Sequence, residues 1–237
     1  MPDLDDLLAV QALDTEADQL RHRRDHLPEL EEVASADAAL ATADARSAPL
    51  SASLHDLRQR QKALEDEAAS VEEKAAEVDR KLYDGSVVAH KELEAFQADH
   101  RMLKDRQSQL EDSALELMEE AEPLVAELAT LDAERATVDG ARTEALERLA
   151  VARQVIDDEL VRVASERAAA AAAVPGEVLA AYEPLRERLG GIGAARLTGA
   201  RCEGCHLEIP SAELQAVRAR PADELVTCPE CGRILVR

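Results

Sequence analysis

Aromatic residues are nearly missing: one phenylalanine, two tyrosines and no tryptophan in 237 residues, too few to fill the wide interior of an ordinary globular domain. Long apolar runs are missing too. No stretch approaches the roughly 20 residues needed to cross a bilayer, so membrane insertion is not expected. The opening MPDLDDLLAV carries acids where a signal peptide would carry bases. These absences point to a cytoplasmic chain. Basic side chains are outnumbered, with 28 Lys and Arg against 50 Asp and Glu, and a uniformly acidic body repels phosphate. Wrapping of RNA or DNA along its length is thereby disfavoured. There is no Walker or dinucleotide loop and no paired-carboxylate constellation that rises above the many glutamates, so neither an enzyme nor a small-molecule substrate is indicated.

What remains is Ala, Leu, Glu and Arg, the composition of long helices joined by a narrow seam. From Leu50 the apolar positions step by four and three through Leu54, Leu57, Gln61, Leu64, Ala68, Val71, Ala75 and Val78 to Leu82, a heptad seam with one polar member. A second series runs Phe96, Leu103, Leu110, Leu117, Leu124, Leu131 and Val138, with Leu93, Ala114, Ala121, Leu128, Leu149 and Ile156 in the complementary set. Between them YDGSVVAH supplies turn residues and is short enough to make the helices antiparallel neighbours. The reading is mainly α: a long antiparallel two-helix coiled-coil hairpin over residues 1–174 with its turn near 83–90, each helix about 75 to 80 residues long. Apolar groups at a hairpin end can be exposed, which makes Tyr83, Val87, Val88 and Leu93 candidate tip contacts.

Folding the sequence about residue 86 or 87 gives a register. It brings Arg58, Arg60 and Lys62 opposite Glu116, Glu119, Glu120 and Glu122, and Gly140 near the level of Pro28, where the first seam is disturbed. It also brings Arg21, Arg23 and Arg24 toward Arg148, Arg153, Arg162 and Arg167, a basic collar at the open end.

VPG at residues 174–176 ends the long helical pattern. A helical connector over 175–191 and the sequence GGIG lead into a small module, 192–237, which carries all four cysteines. Cys202 and Cys205 form one CxxC, Cys228 and Cys231 a second, with twenty-two residues between the pairs. Two CxxC knuckles each place two thiolates on one tetrahedral edge, and together they make a four-sulfur shell suited to a single structural Zn2+. Iron or an iron–sulfur centre, a thiol redox pair, or no metal are the alternatives. In a reducing compartment, metal ligation is expected over disulfides. His206 follows a full ligand set and is read as a flanking side chain. His22, His26, His90 and His100 lack partners for catalysis in the local sequence. The module's path is expected to run through strands near AARLTG, LEIP, ELVT and RILV, with a helix from Ser211 that Ser211 itself caps. Gly204 and Gly232 are expected to permit the tight backbone around the thiolates.

The opening LLAVQALDTEADQL, the tip LYDGSVVAHKELEAFQ, LEDSALELMEEAE, the connector YEPLRERLGG and the paired knuckles ending in CGRIL together resemble the bacterial four-cysteine zinc-ribbon proteins with a long amino-terminal coiled-coil hairpin. At the tip, Ala89 and His90 stand where that family often has a small polar residue and proline. The resemblance implies that Cys202, Cys205, Cys228 and Cys231 are structural zinc ligands. It also implies a nonenzymatic cytoplasmic adaptor or chaperone-like regulator with a protein partner, in a family connected with secretion or flagellar assembly and in part with RNA binding. The alternative is an RNA- or DNA-binding regulator acting through the ribbon and the adjacent collar. Arg196, Arg201, Arg218, Arg220, Arg233 and Arg237, with Arg21, Arg23 and Arg24, would then be the phosphate donors.

Overall fold

The computed structural model describes residues 4–85, 89–221 and 224–237. Its elements are α1 (Asp5–Asp25), α2 (Pro28–Tyr83), α3 (His90–Ala173), α4 (Gly176–Arg188), β1 (Ala194–Thr198), β2 (Arg201–Cys202), α5 (Ser211–Ala219) and β3 (Ile234–Val236). By compactness the chain divides into two units, Glu32–Glu144 and, from both ends of the sequence, Met1–Glu31 with Ala145–Arg237.

Within Glu32–Glu144 the heptad reading holds residue by residue. All ten positions from Leu50 to Leu82 are buried or half-buried, as are the facing positions from Leu93 through Leu110, Ala114, Leu117, Ala121 and Leu131 to Val138. Narrow side chains at Ala68, Ala75, Ala114 and Ala121 let the two backbones approach, which explains how a seam closes with so few aromatics. The α3 helix begins at His90, and Ala89 before it has no side-chain oxygen with which to cap it. The Ala89 carbonyl accepts the first bonds, from the N–H groups of Glu92 and Leu93.

The expected register differs in its ion pairs. Arg60 and Lys62 pair with Asp56 and Asp66 on their own helix, while pairs between α2 and α3 include His100 with Asp79, Arg106 with Glu67, Arg46 with Glu134, Arg135 with Asp44 and Arg142 with Asp37. The fold-over count assumed one residue against one residue from the turn onward. Arg106–Glu67 falls on that count, whereas His100–Asp79, nearer the turn, and Arg142–Asp37 do not, because long side chains reach to either side of the residue directly opposite. All these pairs are at least partly solvent-exposed and contribute only about tenths of a kcal/mol each. Pro49 and Pro123 lie inside α2 and α3, where each removes one backbone donor.

The expected single first helix is in fact two. α1 ends at Asp25, and Pro28 opens α2 at the first-turn position where its missing N–H is harmless. In the unit built from both chain ends, Leu20 of α1 packs with Ile156 and Val163 of α3, flanked by Leu13, Ala17, Leu27 and Leu160. Val174 and Pro175 break the chain between α3 and α4, and α4 continues through Pro184 as one helix. The ribbon is a three-stranded sheet in the order β2-β1-β3, with β1 antiparallel to β2 and parallel to β3. Two expected strands shrink to single bridges, Arg201 with Glu208 and Thr227 with Ile234. The α5 helix starts after Pro210 with no side-chain cap, so Ser211 does not take the expected capping role. The Leu214 N–H bonds the Pro210 carbonyl instead.

Candidate metal centre

Each CxxC folds into the same turn. In the first, the His206 N–H donates to the Cys202 carbonyl at 2.8 Å and the Cys202 N–H to the Leu207 carbonyl at 3.1 Å. In the second, the Gly232 N–H donates to the Cys228 carbonyl at 2.8 Å and the Cys228 N–H to the Arg233 carbonyl at 2.8 Å. The turn requires a left-handed residue after the second cysteine, and both knuckles have one: His206 at φ 62° and Gly232 at φ 72°. Gly232 thus has its expected backbone role. Gly204 is needed for space, because a Cβ there would lie 2.6 Å from Arg233 Cδ and 2.9 Å from Ala195 Cβ.

The two turns bring the sulfurs of Cys202, Cys205, Cys228 and Cys231 within 4.8 Å of one another. Across the knuckles Cys202 Sγ lies 4.0 Å from Cys231 Sγ, and Cys205 Sγ 4.0 Å from Cys228 Sγ. A tetrahedral zinc–thiolate shell with bonds of about 2.3 Å has sulfur–sulfur edges of about 3.8 Å, so the donor set fits Zn2+ with little adjustment. The protein groups alone do not favour thiolates throughout. Burial pushes the Cys202 thiol up, and pushes Cys228 up to about 12. At Cys231 burial also acts upward, but the Arg233 backbone N–H, the Arg233 side chain and the neighbouring thiols hold it down at about 7. A dication offsets what burial opposes, and loading it must expel the protons of Cys202 and Cys228.

The sheet carries this cluster on one face and the unit's core on the other. Leu235 packs with Ala195, Cys202, Ile209, Val217 and Cys228. Its neighbours Ile234 and Val236 turn the opposite way, into a core with Leu4 just before α1, Leu7 and Val10 of α1, Val174, and Val178 and Tyr182 of α4. Two buried polar residues of α1 complete that core. Gln11 donates from Nε2 to the Gly191 carbonyl at 2.8 Å, and its Oε1 accepts from the Gly193 N–H at 2.7 Å and the Ala194 N–H at 3.2 Å. Asp14 accepts from the Tyr182 hydroxyl at 2.8 Å and from Arg167 Nε at 2.7 Å, with Arg186 Nε 3.5 Å away. Burial first and then the Asp14 carboxylate push the Tyr182 hydroxyl above its usual range, and the bond to Asp14 does the same for Arg167. Neither Gln11 nor Asp14 was singled out from the sequence. Both are polar residues in the MPDLDDLLAVQALD segment, and a buried polar residue there breaks no visible pattern.

These observations agree with what similar proteins show. Residues 10–190 match the CT398-like coiled coil hairpin domain, and residues 201–235 match the C4-type zinc ribbon domain. The chain belongs to the CT398-like coiled-coil hairpin family. A solved Mycobacterium smegmatis protein is similar over 100% of both chains at 30% identity with a TM-score of 0.87. CT398 from Chlamydia trachomatis shares the fold over 98% of this chain and 96% of its own, at 19% identity and a TM-score of 0.71. An uncharacterized Mycobacterium tuberculosis protein is 41% identical over 97 residues, 38% of this chain and 39% of that relative. The CT398-like hairpin is therefore followed by a C4-type ribbon with one structural Zn2+, and its four clustered cysteines supply the shell. Neither matching domain is an enzyme type. Among the described residues no helix is long and apolar enough to cross a membrane.

The other candidate residues have mixed settings. At the tip Tyr83 is 84% exposed and Leu93 is half-buried, while Val87 and Val88 lie outside the described residues. In the collar Arg21 pairs with Asp18, Arg23 with Glu159 and Arg24 with Asp157. Arg162 and Arg167 are held by Glu16 and Asp14. On the ribbon Arg196 pairs with Asp5 and Arg220 with Glu224. Arg218 donates to the Gly199 carbonyl, Arg233 to those of Ile192 and Leu189, and Arg237 to those of Val217, Arg220, Pro221 and Glu224. Arg201 is exposed. His206 is exposed, 4.0 Å from Glu203.

Proposed function

We propose that this CT398-like protein is a nonenzymatic cytoplasmic adaptor or chaperone-like regulator that contacts a protein partner through its coiled-coil hairpin and zinc ribbon. The observation that supports the reading is an apolar trio on the outside of α3. Leu115, Met118 and Val125 are 57%, 48% and 43% exposed, in a stretch that also holds Glu116, Glu119, Glu120 and Glu122. Exposed apolar groups clustered on one element and rimmed by charge mark contact surfaces, and the acidic rim disfavours a phosphate backbone. Tyr83 and Leu93 are proposed as further contacts at the tip. RNA or DNA binding through the ribbon draws less support, because most of the arginines it would use already donate to carboxylates or backbone carbonyls.

The test is photo-crosslinking in cells from a reactive residue placed at Met118. A discrete protein adduct is expected, insensitive to nuclease and lost when Leu115 and Val125 are both changed to Glu. A nuclease-sensitive adduct, or the same adducts from an exposed site elsewhere such as Lys62, would overturn the reading.

A further inference from the structure

We propose that the amino-terminal helix is a working part of the zinc centre, with Gln11 as a positioning residue for the ribbon, so that docking of α1 and binding of zinc strengthen each other. Gln11 lies 180 residues from Gly191 in sequence, yet both ends of its amide are used on the segment that enters β1. It is 7% exposed, so these bonds are made in a site poor in competing water. They fix Gly191, Gly193 and Ala194. Gly193 has no room to move, since a Cβ there would lie 2.9 Å from both the Arg186 backbone nitrogen and the Tyr182 ring.

From this segment the path to the metal is short. The Ile234 N–H donates to the Gly193 carbonyl at 2.9 Å, and Ala194 is registered with Ile234 across the parallel pair. Arg233, the residue before Ile234, donates to the Ile192 carbonyl at 3.0 Å, and its own carbonyl accepts from the Cys228 N–H at 2.8 Å. The β3 strand has all three side chains buried. Ile234 and Val236 form one wall of the pocket for Leu4, Leu7 and Val10, while Leu235 packs in the cysteine cluster. Whatever orders the second knuckle therefore orders the surface on which α1 docks. Without zinc, β3 loses its anchor at the second knuckle and α1 loses both an apolar wall and the partners of Gln11. Linkage requires the converse: by whatever factor zinc tightens α1 docking, docked α1 tightens zinc binding, so a change that undocks α1 lowers zinc affinity by up to that factor.

The experiment uses the full-length zinc-loaded chain. Hydrogen exchange before and after zinc is withdrawn by a chelator should show loss of protection in residues 5–25 together with the ribbon, while the helices within 50–135 keep theirs. In parallel, Gln11→Leu should raise the dissociation constant for Co2+ on the order of tenfold. At saturation the variant should still give the absorption spectrum of a four-thiolate site, which separates loss of affinity from failure to fold. Retention of full α1 protection after zinc withdrawal would overturn the proposal, as would wild-type Co2+ affinity in a folded Gln11→Leu protein. If the variant does not fold, the exchange measurement on the unaltered chain decides alone.

Discussion

His206 occupies a backbone position that its counterpart in the second knuckle gives to glycine. A side chain at φ 62° meets the carbonyl that follows it, although histidine tolerates this region better than most residues. A β-branched residue does not. His206→Val is therefore expected to destabilise the zinc-loaded ribbon by about 1 to 2 kcal/mol, while His206→Gly should be at least as stable as the wild type. Denaturant titration followed by a dye that reports free zinc measures both. A valine variant that holds zinc as firmly as the wild type would remove the strain argument. The His206 ring is 63% exposed, and the clustered sulfur atoms are those of Cys202, Cys205, Cys228 and Cys231.

Among the elements, α1 is the one whose role exceeds its length. Its Asp14 is 4% exposed and accepts hydrogen bonds from Tyr182 of α4 and Arg167 of α3, with the Arg186 guanidinium of α4 at an ion-pair distance of 3.5 Å. A buried carboxylate is tolerable only because these donors surround it, and each donor in turn depends on the carboxylate. Asp14→Ala should cost about 2 to 3 kcal/mol, less than for a fully buried charge pair because Arg167 keeps some contact with water. Tyr182→Phe, which leaves the arginines paired, should cost about 1 kcal/mol. Hydrogen exchange in α1 and α4 reports both losses, and equal effects from the two substitutions would refute the account of Asp14 as an acceptor shared by Tyr182 and the arginines. The break before Pro28 serves the same arrangement. It ends α1 within its own unit and lets α2 begin with fresh first-turn geometry.

For the whole molecule, the two compact units differ in what stabilises them. Glu32–Glu144 depends on a seam of Leu, Val and Ala, whereas Met1–Glu31 with Ala145–Arg237 contains the metal centre and the polar bonds of Gln11 and Asp14. Heating should therefore give two transitions, only one of them sensitive to zinc. In Cys228→Ser, metal analysis should find well under one zinc per chain, and the sensitive transition should move down. Most of the ellipticity at 222 nm should remain, because the seam of Glu32–Glu144 needs no metal. Loss of nearly all helicity on zinc removal would show that the units do not melt separately.

The sequence by itself determined the parts that repeat or that carry a fixed spacing. A seam with a period of seven is written in every turn of α2 and α3, so Leu54, Ala68, Val71, Leu110 and Leu117 could be placed in the core without a partner in view. The CxxC pairs are equally local, because each turn is closed by bonds within five residues, and only the pairing of the two knuckles is long-range. Tertiary structure decided the rest. Which acid Arg142 meets across the seam, Asp37, depends on how far a long side chain reaches along the facing helix. The strands at 207–210 and 224–227 dwindled to bridges because their partners lie on other segments. Gln11 and Asp14 became core residues through contacts made more than 150 residues away, and a lone polar side chain in a helix gives no periodic sign that such partners exist. The arginines read as phosphate donors show the same limit, since a sequence records their charge while the folded chain determines which carbonyls and carboxylates occupy it.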